Sequence, residues 1–516
     1  MKIKRLLKLL IISVILKQLV WIALVPMWQF PDEQAHFGQV AYTFDKQLIK
    51  PTSNLTQEIL ITERILQTER DWAGNNKYTY HPEYNIPYTN SYIGRHEQEI
   101  KTLPLVTKIT SSIQEATSYP PVYYVPLGLI YKFFFNYDIL VRLFLVRLFN
   151  IIFSLLTLLI GYKLFTLVFE KEFIALCASI LFSFQPMFSF LQGGINSDNL
   201  FNLIFVAGIY LSLLFTKRVF SIKKLLLAAG LYVSAIYTKP QGYLLIPIFF
   251  FPLLFRLVTN KSFKFGFKIF LLFLVVIVPI YFRLMKGRQF LPEVYPETIL
   301  KPELTFLEHL KWTLNHSVRE VLPWFWGVFR WLSLALPQLV NRLINRSLLI
   351  LIFGLFLYIL RIFRKKDFSF RTISLTFFIY ATIIYFMVIT FWDYLFTITH
   401  GYSFGIQGRY FYPILSAITG LLTFGILGYA VKEKIQRILL SIFTSLMIVL
   451  HEITLFRVVF SYFSTSSLAK FFMQASQYKP WFFKSPILQF IFIIHFISLV
   501  VLVVNLLSSS LAHEKN

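Results

Sequence analysis

Two adjacent carboxylates and a histidine stand just past the first apolar block, in Pro31-Asp32-Glu33-Gln34-Ala35-His36-Phe37. If this stretch is helical, Asp32 and His36 lie four residues apart on one face. Asp32, Glu33 and His36 could then hold a divalent cation, or a carboxylate could take a proton from a hydroxyl as general base. The plain alternative is a helix start, where acids after a proline are favoured by the helix dipole. In Gly193-Gly194-Ile195-Asn196-Ser197-Asp198-Asn199 a tight turn carries Asn196 and Asp198. Ser197 or Asp198 there suits a helix cap, and Asp198 could also face the space that Asp32 faces. Two cations stand at the ends of apolar blocks: Lys239 in Thr238-Lys239-Pro240-Gln241-Gly242, and Arg409 in Gln407-Gly408-Arg409-Tyr410-Phe411-Tyr412-Pro413. A lysine point charge and a planar arginine fork both suit a phosphate. The plain alternatives are snorkelling for Lys239 and, for Arg409, a pair with a carboxylate such as Asp393. Ser118-Tyr119-Pro120-Pro121-Val122-Tyr123-Tyr124 reads as a proline-started helix with interfacial tyrosines, or as a rigid cleft wall. Trp324, Trp326 and Trp331 suit an interfacial belt, and their faces also suit sugar rings and prenyl chains.

The elements that must carry these residues follow from composition. The chain has 516 residues, 56% of them hydrophobic, against about 45–50% in soluble domains. Mean hydropathy is +0.63. The apolar residues come in long blocks, which predicts an all-α polytopic membrane protein. About 20 apolar residues make one helical span. Roughly twelve such blocks occur: Leu6–Trp28, then near 143–168, 173–190, 200–215, 225–237, 243–257, 269–284, 348–362, 373–391, 411–430, 438–459 and 488–507. The first follows Met1-Lys2-Ile3-Lys4-Arg5 but lacks an Ala-x-Ala cleavage pattern, so it reads as a retained span. Pro120–Phe135 is shorter and reads as a re-entrant or interfacial helix, or else an extra span. The formal charge of +25 would suggest nucleic acid in a soluble protein. Here the basic residues cluster at block ends, where the positive-inside rule and anionic headgroups account for them, so nucleic acid is not an expected partner and membrane lipids are. The lone Cys177 excludes an internal disulfide and a thiolate metal site.

Five basic clusters fix an orientation: Lys2-Lys4-Arg5, Lys217-Arg218 with Lys223-Lys224, Lys261 with Lys264 and Lys268, Arg364-Lys365-Lys366, and Lys432 with Lys434 and Arg437. With twelve spans and Pro120–Phe135 not crossing, all fall on one side, the cytoplasmic one. Both termini are then cytoplasmic in a plasma-membrane protein. Loops 30–118, 286–340 and 459–486 lie outside. Loop 30–118 is rich in acids and is expected to fold into short helices lying on the membrane. The singled-out polar motifs all face that compartment, which suggests a site built there. No repeat divides the chain, and residues 1–516 form one polytopic domain. No Walker loop, GxGxxG or HExxH motif is present, so an ATPase or zinc-protease reading has no support.

Taken in order, six elements resemble one family. They are Pro31-Asp32-Glu33-x-x-His36-Phe37, Tyr119-Pro120-Pro121-x-Tyr123-Tyr124, Asn196-Ser197-Asp198, Lys239-Pro240, Trp326-Gly327 with Leu336-Pro337, and Gln407-Gly408-Arg409-Tyr410-Phe411-x-Pro413. The family is the predicted membrane proteins grouped as domain-of-unknown-function family 2142, and the resemblance covers roughly residues 10–430. Ser197 departs from it, standing where a proline is common. That family is similar in turn to the GT-C superfamily of polytopic glycosyltransferases. The resemblance implies a GT-C-like module over roughly 1–430 with additional C-terminal spans over 431–516. It implies a polyprenyl-phosphate sugar donor, a site on the outer face and an acidic residue or Asp-Glu pair in the first outer loop, here Asp32 and Glu33.

On this reading the chain transfers a sugar from a polyprenyl-phosphate donor to an extracytoplasmic glycan, lipid or protein acceptor. Asp32 or Glu33 is the general base. His36, Tyr119, Tyr123, Asn196, Asp198, Lys239, Gln241, Trp326, Gln407, Arg409 and Tyr410 contact substrate, and a divalent cation, Mg or Mn, sits near Asp32, Glu33 and His36. Two other classes stand beside it. A transporter or flippase of a lipid-linked saccharide would need polar residues near mid-membrane and inverted repeats. A non-catalytic envelope-assembly scaffold would tolerate every polar substitution on that face.

Overall fold

A computed structural model describes residues 2–43, 55–71, 74–89, 94–109, 111–113, 120–217, 221–259, 304–463 and 467–511. The described chain is overwhelmingly helical. Helix α1 (Lys2–Leu24) is followed by short helices of the first loop: α2 (Glu33–Tyr42), α3 (Gln57–Leu66), α4 (Arg95–Lys101) and α5 (Val106–Ile109). Then come α6 (Tyr124–Phe133), α7 (Ile139–Phe169), α8 (Glu172–Ser183), α9 (Pro186–Leu191), α10 (Asp198–Lys217), α11 (Ile222–Ile236) and α12 (Leu245–Thr259). The second half holds α13 (Phe306–His316), α14 (Leu322–Trp326), α15 (Gln338–Lys365), α16 (Phe370–His400), α17 (Leu415–Gly428), α18 (Glu433–Tyr462), α19 (Leu468–Ala475) and α20 (Ile487–Leu511). Among the described residues two minimal antiparallel pairs occur, Leu55–Thr56 with Ser111–Ile113 and Val328–Phe329 with Leu334–Ala335.

Eight described helices are long and apolar enough to cross a membrane, and each coincides with one of the twelve expected spans. Three further expected spans take a shorter form. The block 173–190 is not one helix: it breaks at Phe184-Gln185 ahead of Pro186, whose ring cannot continue the helical ladder. There the Gln185 side chain caps α9 by accepting from the Phe188 N–H, 2.5 Å away. Blocks 225–237 and 243–257 become the 15-residue helices α11 and α12, joined through a 3-10 turn at Pro240–Leu244. The expected span at 269–284 lies outside the described residues. Helix α6 has ten residues, about 15 Å at 1.5 Å per residue, too short to cross a core of about 30 Å.

Loop 30–118 contains the expected short helices, but its acids do not all face water. Glu33, Glu58, Glu63 and Glu97 are buried. Arg142 of α7 clasps Glu58 through both nitrogens, at 2.8 and 2.5 Å. Lys484, in the loop before α20, reaches Glu97 at 2.6 Å. These pairs pin the loop onto the bundle. The last spans are part of the same body. Helix α20 packs along α1, and α18 packs against α8. Inside that contact Trp21 donates through Nε1 to His451 Nε2 at 2.9 Å. His451 Nδ1 and His495 Nε2 meet Glu452 at 2.7 and 3.2 Å. Tryptophan can only donate, so His451 Nε2 accepts and that ring is neutral. Lys17 of α1 is buried close by and donates to Ser189 Oγ at 2.9 Å. The lipid-facing sequence of these spans conceals this polar contact. In the other half, α15 and α17 touch at Gly354, Gly425 and Gly428, where any Cβ would meet the facing backbone.

Candidate functional site

The chain leaves α1 through a loop whose carbonyls are capped by side chains from elsewhere. Arg147 of α7 donates to the carbonyls of Val25 and Pro26 at 2.8 and 2.9 Å. Lys479, also buried, donates to the carbonyl of Ala23. The Arg147 guanidinium lies between the rings of Phe30 and Phe144, each 4.7 Å away. Its charge is met by Glu33, with Nε–Oε1 at 2.7 Å and Nη2–Oε2 at 2.5 Å. The Trp28 N–H donates to the same carboxylate at 3.2 Å. Neither Glu33 nor Arg147 has any exposed surface. Glu33 is therefore the counter-ion of a loop-closing arginine, and no acceptor hydroxyl can reach it as it stands.

Asp32 turns the other way. It stands at the N-cap of α2 with φ 56°, a left-handed conformation that Asp tolerates better than most residues. Its carboxylate does not cap the helix. It reaches Arg409 instead, Oδ2 to Nη2 at 3.2 Å, and keeps 42% of its side-chain surface exposed while Arg409 keeps 13%. Burial raises the cost of charging Asp32, but Arg409, His36 and Arg70 outweigh it and hold the carboxyl below its ordinary value. It is thus an ionised, reachable carboxylate. Asp393 does not serve as the partner of Arg409. It is fully buried, 3.1 Å from His309 Nε2, and accepts from Ser403 Oγ and the Phe404 N–H.

His36 lies one turn further along α2 and bonds through Nδ1 to Tyr124 OH at 2.7 Å. Burial lowers its pKa to about 4, against the pull of Asp32. The charges of Lys239, Asp198 and Arg409 act on the same ring. Charges from four separate places along the chain therefore act on one neutral imidazole. Asp198, at the start of α10, is paired with Lys239 at the end of α11, and each keeps 12% of its side chain exposed. Asn196 accepts from the Asp198 N–H at 2.9 Å and reaches back to the Pro31 carbonyl at 3.5 Å, joining this turn to Asp32.

The remaining expected residues divide. Tyr123 is buried, bridging Asn150 Oδ1 and the Asn196 N–H at 3.0 and 2.9 Å, which makes it a support for the turn. Tyr119 lies outside the described residues. Gln241 sits in the turn after Lys239. Gln407 opens the 3-10 turn Gly408–Ile414 that presents Arg409, and the Tyr410 ring lies 5.8 Å from the Arg409 guanidinium. Gly408 is required there, since a Cβ would strike the backbone of Trp324 and Phe325. Trp326 is buried beside Phe325 beneath this contact, not on an open belt.

Asp32, Glu33 and His36 do not form one ligand set for a divalent cation. Glu33 is turned to Arg147, and His36 spends Nδ1 on Tyr124. Among the described residues no three His, Cys, Asp or Glu side chains are grouped to hold a metal. Two groups escaped the motif reading. Arg70 acts on both Asp32 and Glu63. Glu63 is buried, and burial, opposed by Arg70, raises its pKa to about 7. Neither sits in a recognisable pattern; the excess of acids in loop 30–118 was the available signal.

Residues 16–418 match the family described as "Predicted membrane protein (DUF2142)", and the chain belongs to that family. No curated protein matches it. Among solved structures, ArnT from Cupriavidus metallidurans in the apo state aligns with 97% of this chain and 76% of its own, at 11% identity and a TM-score of 0.39. The same protein bound to undecaprenyl phosphate gives 88%, 76%, 11% and 0.38. The archaeal oligosaccharyltransferase AglB from Archaeoglobus fulgidus, in complex with an inhibitory peptide and a dolichol-phosphate, aligns with 98% of this chain and 56% of its own, at 12% identity and a TM-score of 0.39.

Proposed function

We propose that this member of the DUF2142 family is a membrane glycosyltransferase. It moves a sugar from a polyprenyl-phosphate donor to an extracytoplasmic glycan, lipid or protein of the cell envelope. The observation that carries the reading is a set of two ion pairs, Asp32 with Arg409 and Asp198 with Lys239, tied together through Asn196, which bonds both Asp198 and Pro31, with Asp32 ionised and reachable. Asp32 takes the proton of the acceptor hydroxyl as its oxygen bonds to the anomeric carbon. The bond from that carbon to the donor phosphate oxygen breaks, and the lipid phosphate leaves. Arg409 and Lys239 neutralise the charge gathering on that phosphate. In the resting site their partners are Asp32 and Asp198, so an arriving phosphate exchanges one anion for another and frees Asp32 to act as base. Neutral His36 adds no competing cation and fixes the start of α2 through Tyr124.

The test is transfer by purified full-length protein in detergent, supplied with radiolabelled polyprenyl-phosphate sugars and envelope extract. Asp32→Asn should lower turnover by about 10²–10⁴-fold. Arg409→Ala should raise the donor concentration required. Wild-type kinetics in both variants would remove this site from the reaction. A transporter would give no product without a sealed membrane, and a scaffold would give none under any condition.

A further inference from the structure

Helix α13, with the π-helical turn Ser317–Val321 that continues it, falls in segment 286–340, expected as an outer loop. It takes no part in the chemistry above. Its residues sort onto three faces. His309 and Thr313 are buried against the rest of the protein. Opposite them Leu307, Leu310, Leu314 and Val318, spaced three and four residues apart, form one stripe. Leu307, Leu314 and Val318 are 74, 51 and 69% exposed. Beside that stripe runs a second, of exposed Glu308, Lys311, Asn315 and Arg319. Glu308 is spent on the capping box with Thr305, which leaves Lys311 and Arg319 as the charges facing outward. Trp312, half-exposed at the edge and stacked on His316 at 5.0 Å, suits an interface between lipid and water. Neighbouring α16 sets the level of this helix. Phe306 lies 5.7 Å from Phe391 and 5.6 Å from Tyr394, and Tyr394 OH donates to the Leu304 carbonyl at 3.0 Å. At the other end His316 Nε2 faces the Ile406 carbonyl at 3.4 Å, past the end of α16. Helix α13 therefore climbs the last turns of α16. With 31 residues, about 46 Å, α16 outreaches a hydrocarbon core of about 30 Å, so this end passes from the core into the headgroups. Phe391 is itself exposed on that span, and the apolar stripe of α13 begins beside it.

An apolar stripe of this length is poorly matched to water. Two features favour a lipid leaflet as its cover. The stripe continues the exposed surface of a span at Phe391, and two cations run along its edge where the lipid phosphates lie. We propose that α13 is a lipid-facing helix: Leu307, Leu310, Leu314 and Val318 rest in the acyl region of the outer leaflet, and Lys311 and Arg319 meet its phosphates. The same helix holds the chain that presents Arg409. His309 meets Asp393, which binds Ser403 and the Phe404 N–H, and His316 faces Ile406, three residues before Arg409. The leaflet thus comes up to the wall of the site, and a lipid-linked donor reaches Arg409 sideways with its chain still among the lipids. That last step rests on the transferase reading; the lipid contact does not.

The experiment is electron paramagnetic resonance on the full chain in vesicles of phosphatidylethanolamine and phosphatidylglycerol. A nitroxide is attached to one introduced cysteine at a time; the native Cys177 is buried. Labels at Leu307→Cys, Leu314→Cys and Val318→Cys should collide several-fold more with oxygen, which concentrates in lipid, than with a water-soluble nickel chelate. A label at Asn315→Cys should show the opposite preference. Lys311→Glu combined with Arg319→Glu should lower the oxygen preference at Val318→Cys several-fold, because the anionic leaflet then repels the helix. An unchanged preference would overturn the phosphate contact. Nickel preference along the stripe would put it in water, and exclusion of both reagents would put protein over it; either result overturns the proposal. If one labelled variant does not fold, the other two stripe positions decide. Collisions are read without any transfer. A lipid-exposed stripe in a chain that transfers nothing would sink the transferase reading alone, and transfer by a chain whose stripe is in water would sink the lipid contact alone.

Discussion

Asp32 and Glu33 are neighbours in the chain, and each meets an arginine from a distant span. The two regions they enter differ in every physical respect. Glu33 points inward, where Arg147 binds it through two nitrogens, stacks between two phenylalanines and caps the end of α1. Both members of that pair are fully buried. Asp32 points outward, makes one contact of 3.2 Å to Arg409 and stays 42% exposed. A buried bidentate pair with extra hydrogen bonds holds structure, because losing either partner strands a charge away from water. A single contact at an exposed edge contributes little to stability, and so can be exchanged for a substrate at little cost. One peptide bond separates the carboxylate that holds the loop closed from the carboxylate that stays open to solvent.

The strongest way to break this contrast is to remove Arg147. Arg147→Ala should destabilise the protein by about 3–5 kcal/mol, read as loss of a monodisperse detergent-extracted species. A well-folded variant would mean that Glu33 is solvated after all. Asp32→Asn should do the reverse, keeping the melting curve while turnover falls by about 10²–10⁴-fold. If it instead unfolds the protein, Asp32 belongs to the structural class. The next effect is on pH dependence. His36 has its folded pKa lowered to about 4, below the unfolded value near 6.5. As pH falls through that window the unfolded chain gains a proton that the native state refuses. Wild type should therefore lose stability relative to His36→Gln between those pH values, on the order of 2 kcal/mol, by thermal melts at several pH values. Parallel curves would place His36 in water. The smallest effect is a coupling energy. A double-mutant cycle on stability between Asp32 and Arg409 should give no more than about 1 kcal/mol, with additive losses as the limiting case. Coupling of several kcal/mol would erase the distinction between the two pairs.

Much of the fold was legible along the chain. Blocks of apolar residues predicted the eight long helices, because in a bilayer the backbone must satisfy itself within each segment and length alone sets the span. The break at Pro186 was also written in the sequence, and the reading of 173–190 as one span ignored it. Motif spacing singled out Asp32, Asp198, Lys239 and Arg409 as candidates, and the fold joins them as two ion pairs, Asp32 with Arg409 and Asp198 with Lys239. What the chain did not disclose were partners. The acids of loop 30–118 carried no sign of their partners, yet among the described residues four of its carboxylates are buried. Asp393 looked like a mate for Arg409 and belongs to His309. The C-terminal spans looked like an addition and are tied to α1 through Trp21 and His451.

By itself, then, the sequence determined where the helices run and which residue types stand at their ends, since hydropathy and helix geometry are local. Only the tertiary structure decided which of the two acids at positions 32 and 33 faces water. That choice depends on a left-handed turn at Asp32 and on Arg147 waiting beneath Glu33, 114 residues away in the chain. Burial and pairing are properties of meeting places, and no stretch of chain contains its own.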